Sequence, residues 1–147
     1  MNQPTTQQLV SAWQAALAAE RQAVFGYGLL GPRASTDAAL AASCAAAHGA
    51  LRDTAAQELS AMGQTPVPPL ADYPALYPVT DSAAARRLAV RLEADCASAW
   101  RYLFAQSVAN MTFRRIAQAN LTASAVRGVR WRRLVDPRHA APAFPGL

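Results

Sequence analysis

Apolar positions in this chain recur at helical spacing in four stretches. In the first, Trp13, Leu17, Val24 and Tyr27 share one stripe at steps of three and four residues, and Glu20 falls on the same stripe. Such a stripe is the buried face of a bundle helix, so a carboxylate stands where a core residue is expected. The second stretch repeats Ala41, Cys44, His48, Leu51, Ala55 and Met62, which points His48 inward. The third repeats Leu88, Leu92, Cys96, Ala99 and Leu103, and the fourth places Asn120 and Arg127 close to the stripe of Phe113, Ile116 and Trp131. No strand-like alternation persists, and the pattern predicts an all-α fold.

Local signals bound these helices. Thr5 or Thr6 starts the first and Gly31-Pro32 stops it; Ser35-Thr36-Asp37 precedes the second and Gly63 ends it. Thr80 or Asp81 caps the third, and the chain breaks at Asn110, with Thr112 as a second capping candidate. The expected helices are about 6–30, 36–62, 81–107 and 111–131, followed by an irregular tail at 136–147, all in a single domain, 1–147. Residues 64–79 carry Pro66, Pro68, Pro69, Pro74 and Pro78 and cannot be helical. At ~3.1 Å per residue such a segment reaches about 50 Å, more than the length of any of these helices at ~1.5 Å per residue. Two antiparallel hairpins joined by a Pro-rich crossover of that reach describe a four-helix bundle of ferritin-like topology.

Counting along the helices places the polar core residues in one layer. Glu20 lies 13 residues before the turn at Arg33, and His48 lies 15 after it. The crossover returns the chain to the end at which the second helix starts, and Glu93 then lies as deep in the third helix as His48 does in the second. By angle Glu93 sits roughly 70° from the centre of its apolar face, on the flank beside Trp100 and Phe104.

Composition agrees with a helical core. Apolar residues make up 52% of the chain, and all 14 basic residues are arginine. The net charge of +5 is concentrated late, where Arg114, Arg115, Arg127, Arg130, Arg132, Arg133 and Arg138 accompany only Asp136. Arg130, Arg132 and Arg133 are the candidate anion-binding residues, although a solvated basic face is the simpler reading. No secretory leader and no membrane span is legible, so a cytoplasmic protein is expected. Cys44 and Cys96 are expected as buried free thiols.

The segments AALAAERQAVFGYG, AAAHGALRD, RLAVRLEADCASAWRYL and VRGVRW, with the crossover ending YPVTD, resemble the ferritin-like superfamily, in particular its actinomycete-type domain of unknown function. That resemblance implies a di-metal carboxylate site built from one Glu on each of two helices and Glu-x-x-His on the other two. Glu20, His48 and Glu93 match three of those positions. Ala45 stands where a Glu is required, and the fourth helix offers Asn120, Ser124 and Arg127 with no carboxylate. A di-iron centre is therefore not expected. Two readings remain for Glu20, His48 and Glu93. One is a degenerate site in which Arg127, His48, Asn120 and Tyr27 close a buried polar network around the carboxylates. The other is a mononuclear site for a single Fe, Mn or Zn, a metal-binding protein or metal-dependent oxidoreductase.

Other signals are weaker. Gly26-Tyr27-Gly28-Leu29-Leu30-Gly31 fits G-x-G-x-x-G, but a helix ends there instead of opening, so close packing at Gly26 and Gly28 is the better reading. No nucleophile–base set is present, and the sequence leans away from an enzyme. The broad apolar face of the first helix suggests a partner surface, most simply a homodimer.

Overall fold

In a computed structural model, which describes residues 5–141, 144 and 146, the chain folds as four long helices with no strand among the described residues. They are α1 (Thr6–Leu30), α2 (Ala38–Ala61), α3 (Ser82–Gln106) and α4 (Met111–Val135). Thr5 caps α1 in a reciprocal box: its hydroxyl accepts from the Gln8 amide at 3.2 Å and its own amide donates to the Gln8 side chain at 2.7 Å. Asp81 caps α3 and Asn110 caps α4, each accepting from the amide three residues on.

Two boundaries differ from expectation. Ser35–Asp37 forms a 3-10 turn, so α2 begins at Ala38. Asp37 does not cap it, because its carboxylate accepts from Arg86 Nε of α3 at 2.6 Å. At the other end α4 continues past Trp131 to Val135, since nothing opposes helix until Asp136-Pro137. Of the expected irregular tail, Pro137–His139 forms a further 3-10 turn, and Pro142, Ala143, Pro145 and Leu147 lie outside the described residues.

The bundle packs α1 against α2 and α3, and α3 against α4. Its core is two apolar clusters. One holds Trp13, Leu17, Ala55, Leu59, Trp100 and Leu103. The other holds Tyr27, Leu30, Ala41, Leu88, Leu92 and Trp131. Trp13 meets Trp100 and Phe113 edge to face, at centroid distances of 5.9 and 5.1 Å. Glu20, His48 and Glu93 are buried at the level between the two clusters.

The crossover runs along α1 as a strap held by side chains; contrary to the expectation that none of residues 64–79 is helical, Pro74–Leu76 forms a 3-10 turn, which Pro74 permits at its first position. The Gln14 amide donates to Thr65 O and accepts from the Val67 amide, both at 2.7 Å. Arg21 Nε donates to Val67 O, and Arg91 Nη1 of α3 donates to Ala75 O. A chain segment without its own ladder must find such partners. Phe25 packs on Tyr73 and Tyr77. Part of the apolar width of the first helix is thus used within the chain.

Gly26 and Gly28 differ sharply. A Cβ at Gly26 would stand 2.5 Å from Leu92 Cδ1, in a side chain that is itself buried, whereas one at Gly28 meets nothing within 4 Å. Gly26→Ala is expected to destabilise the fold by about 1–3 kcal/mol through overpacking. Gly28→Ala is expected to stabilise it by up to ~1 kcal/mol through helix propensity. Denaturant melts of the two variants read this directly, and equal effects would contradict the close approach at Gly26.

Candidate functional site

Glu20 from α1, His48 from α2, Glu93 from α3 and Arg127 from α4 form the centre of the buried layer. The first three are at most 1% exposed, and the Arg127 side chain is 12% exposed. His48 sits between the two carboxylates. Its Nδ1 lies 2.6 Å from Glu20 Oε2 and its Nε2 lies 2.9 Å from Glu93 Oε1. Both neighbours are acceptors, so the arrangement is complete when both ring nitrogens carry a proton. Burial pulls the pKa of His48 down, but the hydrogen bonds and charges of Glu20 and Glu93 outweigh it and raise it from 6.5 to about 9.

The remaining carboxylate positions are also matched. Trp100 Nε1 donates to Glu20 Oε1 at 2.7 Å. The Tyr27 hydroxyl donates to Glu93 Oε1 at 2.7 Å, and Arg127 Nε donates to Glu93 Oε2 at 3.0 Å. Arg127 Nη2 donates in turn to Ser124 Oγ at 3.1 Å. Tyr27 also stacks on His48 at a centroid distance of 5.3 Å. Every carboxylate oxygen therefore has a protein donor, and two negative groups face two positive ones.

The titrations of the surrounding groups follow from this burial. Tyr27 is raised, first by desolvation and then by the Glu93 charge, so it remains a neutral donor. Burial pushes both thiols up, and the charges of Glu20 and Glu93 add to this at Cys96. For Arg127, the Glu93 carboxylate more than offsets the cost of burial and holds the guanidinium charged.

The sequence-predicted trio of Glu20, His48 and Glu93 is thus brought together. Glu93 is fully interior and not on the flank. Arg127 reaches Glu93 and Ser124, whereas Asn120 is half-buried and makes no side-chain hydrogen bond in the network. Ala45 packs against the apolar cluster around Tyr27 and Trp131. Trp100 was not anticipated as a ligand of Glu20. Its signal was present as the spacing of seven from Glu93, which puts both on one face of α3. Arg130 and Arg133 are exposed, Arg132 is half-buried, and His139 is exposed with Asp136 2.8 Å away.

The residues do not fit a di-metal centre, because Ala45 and all of α4 lack the required carboxylates. They fit a single cation poorly as well. Glu20, His48 and Cys96 each offer an atom within 4.8 Å of the others. Yet His48 has no nitrogen lone pair free while both nitrogens hold carboxylates, and Cys96 is held protonated.

Glu20→Ala is expected to destabilise the fold by about 3–5 kcal/mol, because it leaves the His48 charge with one partner fewer in the interior. A change below ~0.5 kcal/mol in a chemical melt would contradict the buried pairing. The raised pKa of His48 also sets a sign for pH. Its contribution to stability is fully present below its unfolded value of 6.5 and is lost as pH rises through about 9. Melting temperature should therefore fall from neutral pH into the alkaline range, and the fall should be smaller in His48→Gln. An identical alkaline profile in that variant would assign the loss to another group.

Comparison with known proteins agrees with the extent of the fold. The family described as "Domain of unknown function (DUF4439)" matches residues 12–147. A crystal structure of a conserved hypothetical protein, rv2844, from Mycobacterium tuberculosis is similar at 34% identity and a TM-score of 0.84. The match covers 88% of this chain and 98% of that one. The search of curated proteins returned no match. With the family match running from Trp13's helix to the C-terminus, the chain belongs to the DUF4439 family of domains of unknown function.

Proposed function

We propose that this chain is a ferritin-like bundle whose ancestral di-metal position is filled by a protein-only polar layer, and that it acts as a non-catalytic structural or interaction protein. One observation carries this reading: all four oxygens of Glu20 and Glu93 accept hydrogen bonds from His48, Trp100, Tyr27 and Arg127. A catalytic or metal centre needs an open coordination position or an unmatched donor. Here the imidazolium and guanidinium supply the positive charge that metal ions supply in di-metal bundles. No thiol, hydroxyl or base in the layer is poised for nucleophilic work, since Cys44, Cys96 and Tyr27 are all raised. A homodimer is the simplest form of the interaction role, and light scattering reads it as twice the chain mass.

The proximity of Glu20, His48 and Cys96 supports the second reading, a mononuclear Fe, Mn or Zn site at Glu20, His48 and Glu93. The two readings separate on Arg127. Protein purified without an affinity tag is expected to carry no stoichiometric metal and to show no thermal shift with Mn, Fe or Zn. Arg127→Ala is expected to lose about 3–5 kcal/mol of stability and to regain part of it when a divalent cation is added, because Glu93 then lacks its counter-charge. Stoichiometric metal in the unmodified protein would replace the proposal with the mononuclear reading.

A further inference from the structure

Helix α4 is apolar on two opposite sides. Ala117, Ser124, Gly128 and Trp131 face the interior. Outside that arc, Ala125 and Val129 on one row and Thr122 and Val126 on the next lead to Arg133 and Arg130, while Leu121, at the head of the first row, still packs against the core cluster of Trp13 and Trp100. These rows and Ala141 line an open groove of about 540 Å³. Val126 is 49% exposed within it. Beyond the groove, Ser98 Oγ of α3 donates to Gly146 O at 3.1 Å. Phe144, between these anchored points, is 71% exposed, the highest value for any large apolar side chain among the described residues.

The charge on this side is unmatched. Helix α4 contains no Asp or Glu. Arg127 is committed to Glu93, and Arg114 lies over the Phe104 ring at 3.8 Å. Arg130 and Arg133 have no carboxylate within 4.0 Å among the described residues. We propose that the outward face of the α3–α4 hairpin docks onto membrane surfaces rich in anionic phospholipid, with Arg130 and Arg133 at the headgroups and Val126 and Phe144 in the interface.

Charge and apolar area together select this partner. Arginines flanking exposed aliphatic side chains match an acidic headgroup layer over acyl chains. A nucleic acid would use the arginines but leave Val126 and Val129 without a role, and Phe144 alone is no stacking platform. A second copy of the same face would set arginine against arginine. Because no helix among the described residues is long and apolar enough to cross a bilayer, the attachment is peripheral. This inference is independent of how the buried layer is filled.

Co-sedimentation of the whole chain with phosphatidylcholine vesicles, with and without phosphatidylglycerol, tests it. Binding is expected only with the anionic lipid, and it should fall as salt approaches ~1 M. Arg130→Ser with Arg133→Ser should weaken it about 30-fold. Val126→Ser with Phe144→Ser should also weaken it, with the salt dependence kept. All four positions are exposed, so circular dichroism of each variant should match the parent. Four results would overturn the proposal: no binding at low salt, equal binding to phosphatidylcholine alone, variants that bind like the parent, or binding to duplex DNA in preference to either vesicle.

Discussion

The imidazole of His48, held between Glu20 and Glu93, is the interaction on which the rest of the fold depends. Two carboxylates buried in one layer repel each other and lose their water, and either effect alone disfavours the folded chain. A single ring with a donor at each end answers both at once, because Nδ1 and Nε2 point in opposite directions and reach one carboxylate each. Arg127 then balances the second charge. This solution demands that four helices present their groups at the same height. A slip of one residue in any of them shifts a group by about 1.5 Å along the axis and turns it by about 100°. The layer therefore fixes helix register in a core whose many alanines would otherwise slide past one another with little penalty.

The bracing of α1 and α3 adds to this. Tyr27 lies seven residues after Glu20 on α1 but bonds to Glu93, and Trp100 lies seven after Glu93 on α3 but bonds to Glu20. Each helix thus supplies one carboxylate and the donor for the other helix's carboxylate. Antiparallel helices make this exchange possible, since two turns forward on one is two turns back along the other. The exchange lies beside Gly26, where Leu92 comes close enough to exclude a Cβ. Close approach and crossed hydrogen bonds go together: the long side chains of Tyr27 and Trp100 each span the interface and end 2.7 Å from the other helix's carboxylate.

Much of this was legible in the sequence, and the reasons differ by residue. Glu20 and His48 could be matched by counting because a short turn separates them and helical rise is constant. Arg127 could be matched because it is the cation nearest the stripe of a helix without carboxylates. Glu93 was harder to place: its angle from the apolar stripe suggested a flank, but α3 is buried on two sides, by α1 and by α4, so its interior arc is wider than one stripe. Asn120 shared the α4 stripe yet stays out of the network, since the stripe gives direction and not reach. The start of α2 was misplaced because Asp37 is used by Arg86, 49 residues away, and local capping rules contain no such term. The broad apolar face of α1 likewise took its meaning from a distant segment, the crossover residues Tyr73 and Tyr77.

Matching of charge also separates the interior of this protein from its surface. In the buried layer each oxygen has a donor and each cation a carboxylate, so a newcomer must break a hydrogen bond before it makes one. Such a centre favours one rigid arrangement and resists binding. On the outer side of α4 the accounting is reversed: arginines face no carboxylate, and valines beside them face water. There a partner gains contacts and displaces only solvent. The same helix thus spends Arg127 on closing the centre and leaves Arg130 and Arg133, about one and nearly two turns further along its axis, on the open side. Three residues of a 3.6-residue period leave the next side chain about 60° further round the helix, and because Arg127 already sits at the edge of the interior arc, that step takes Arg130 into solvent. The chemistry of a single arginine-rich stretch is divided in this way by helical geometry, and association belongs to the part that geometry leaves unpaired.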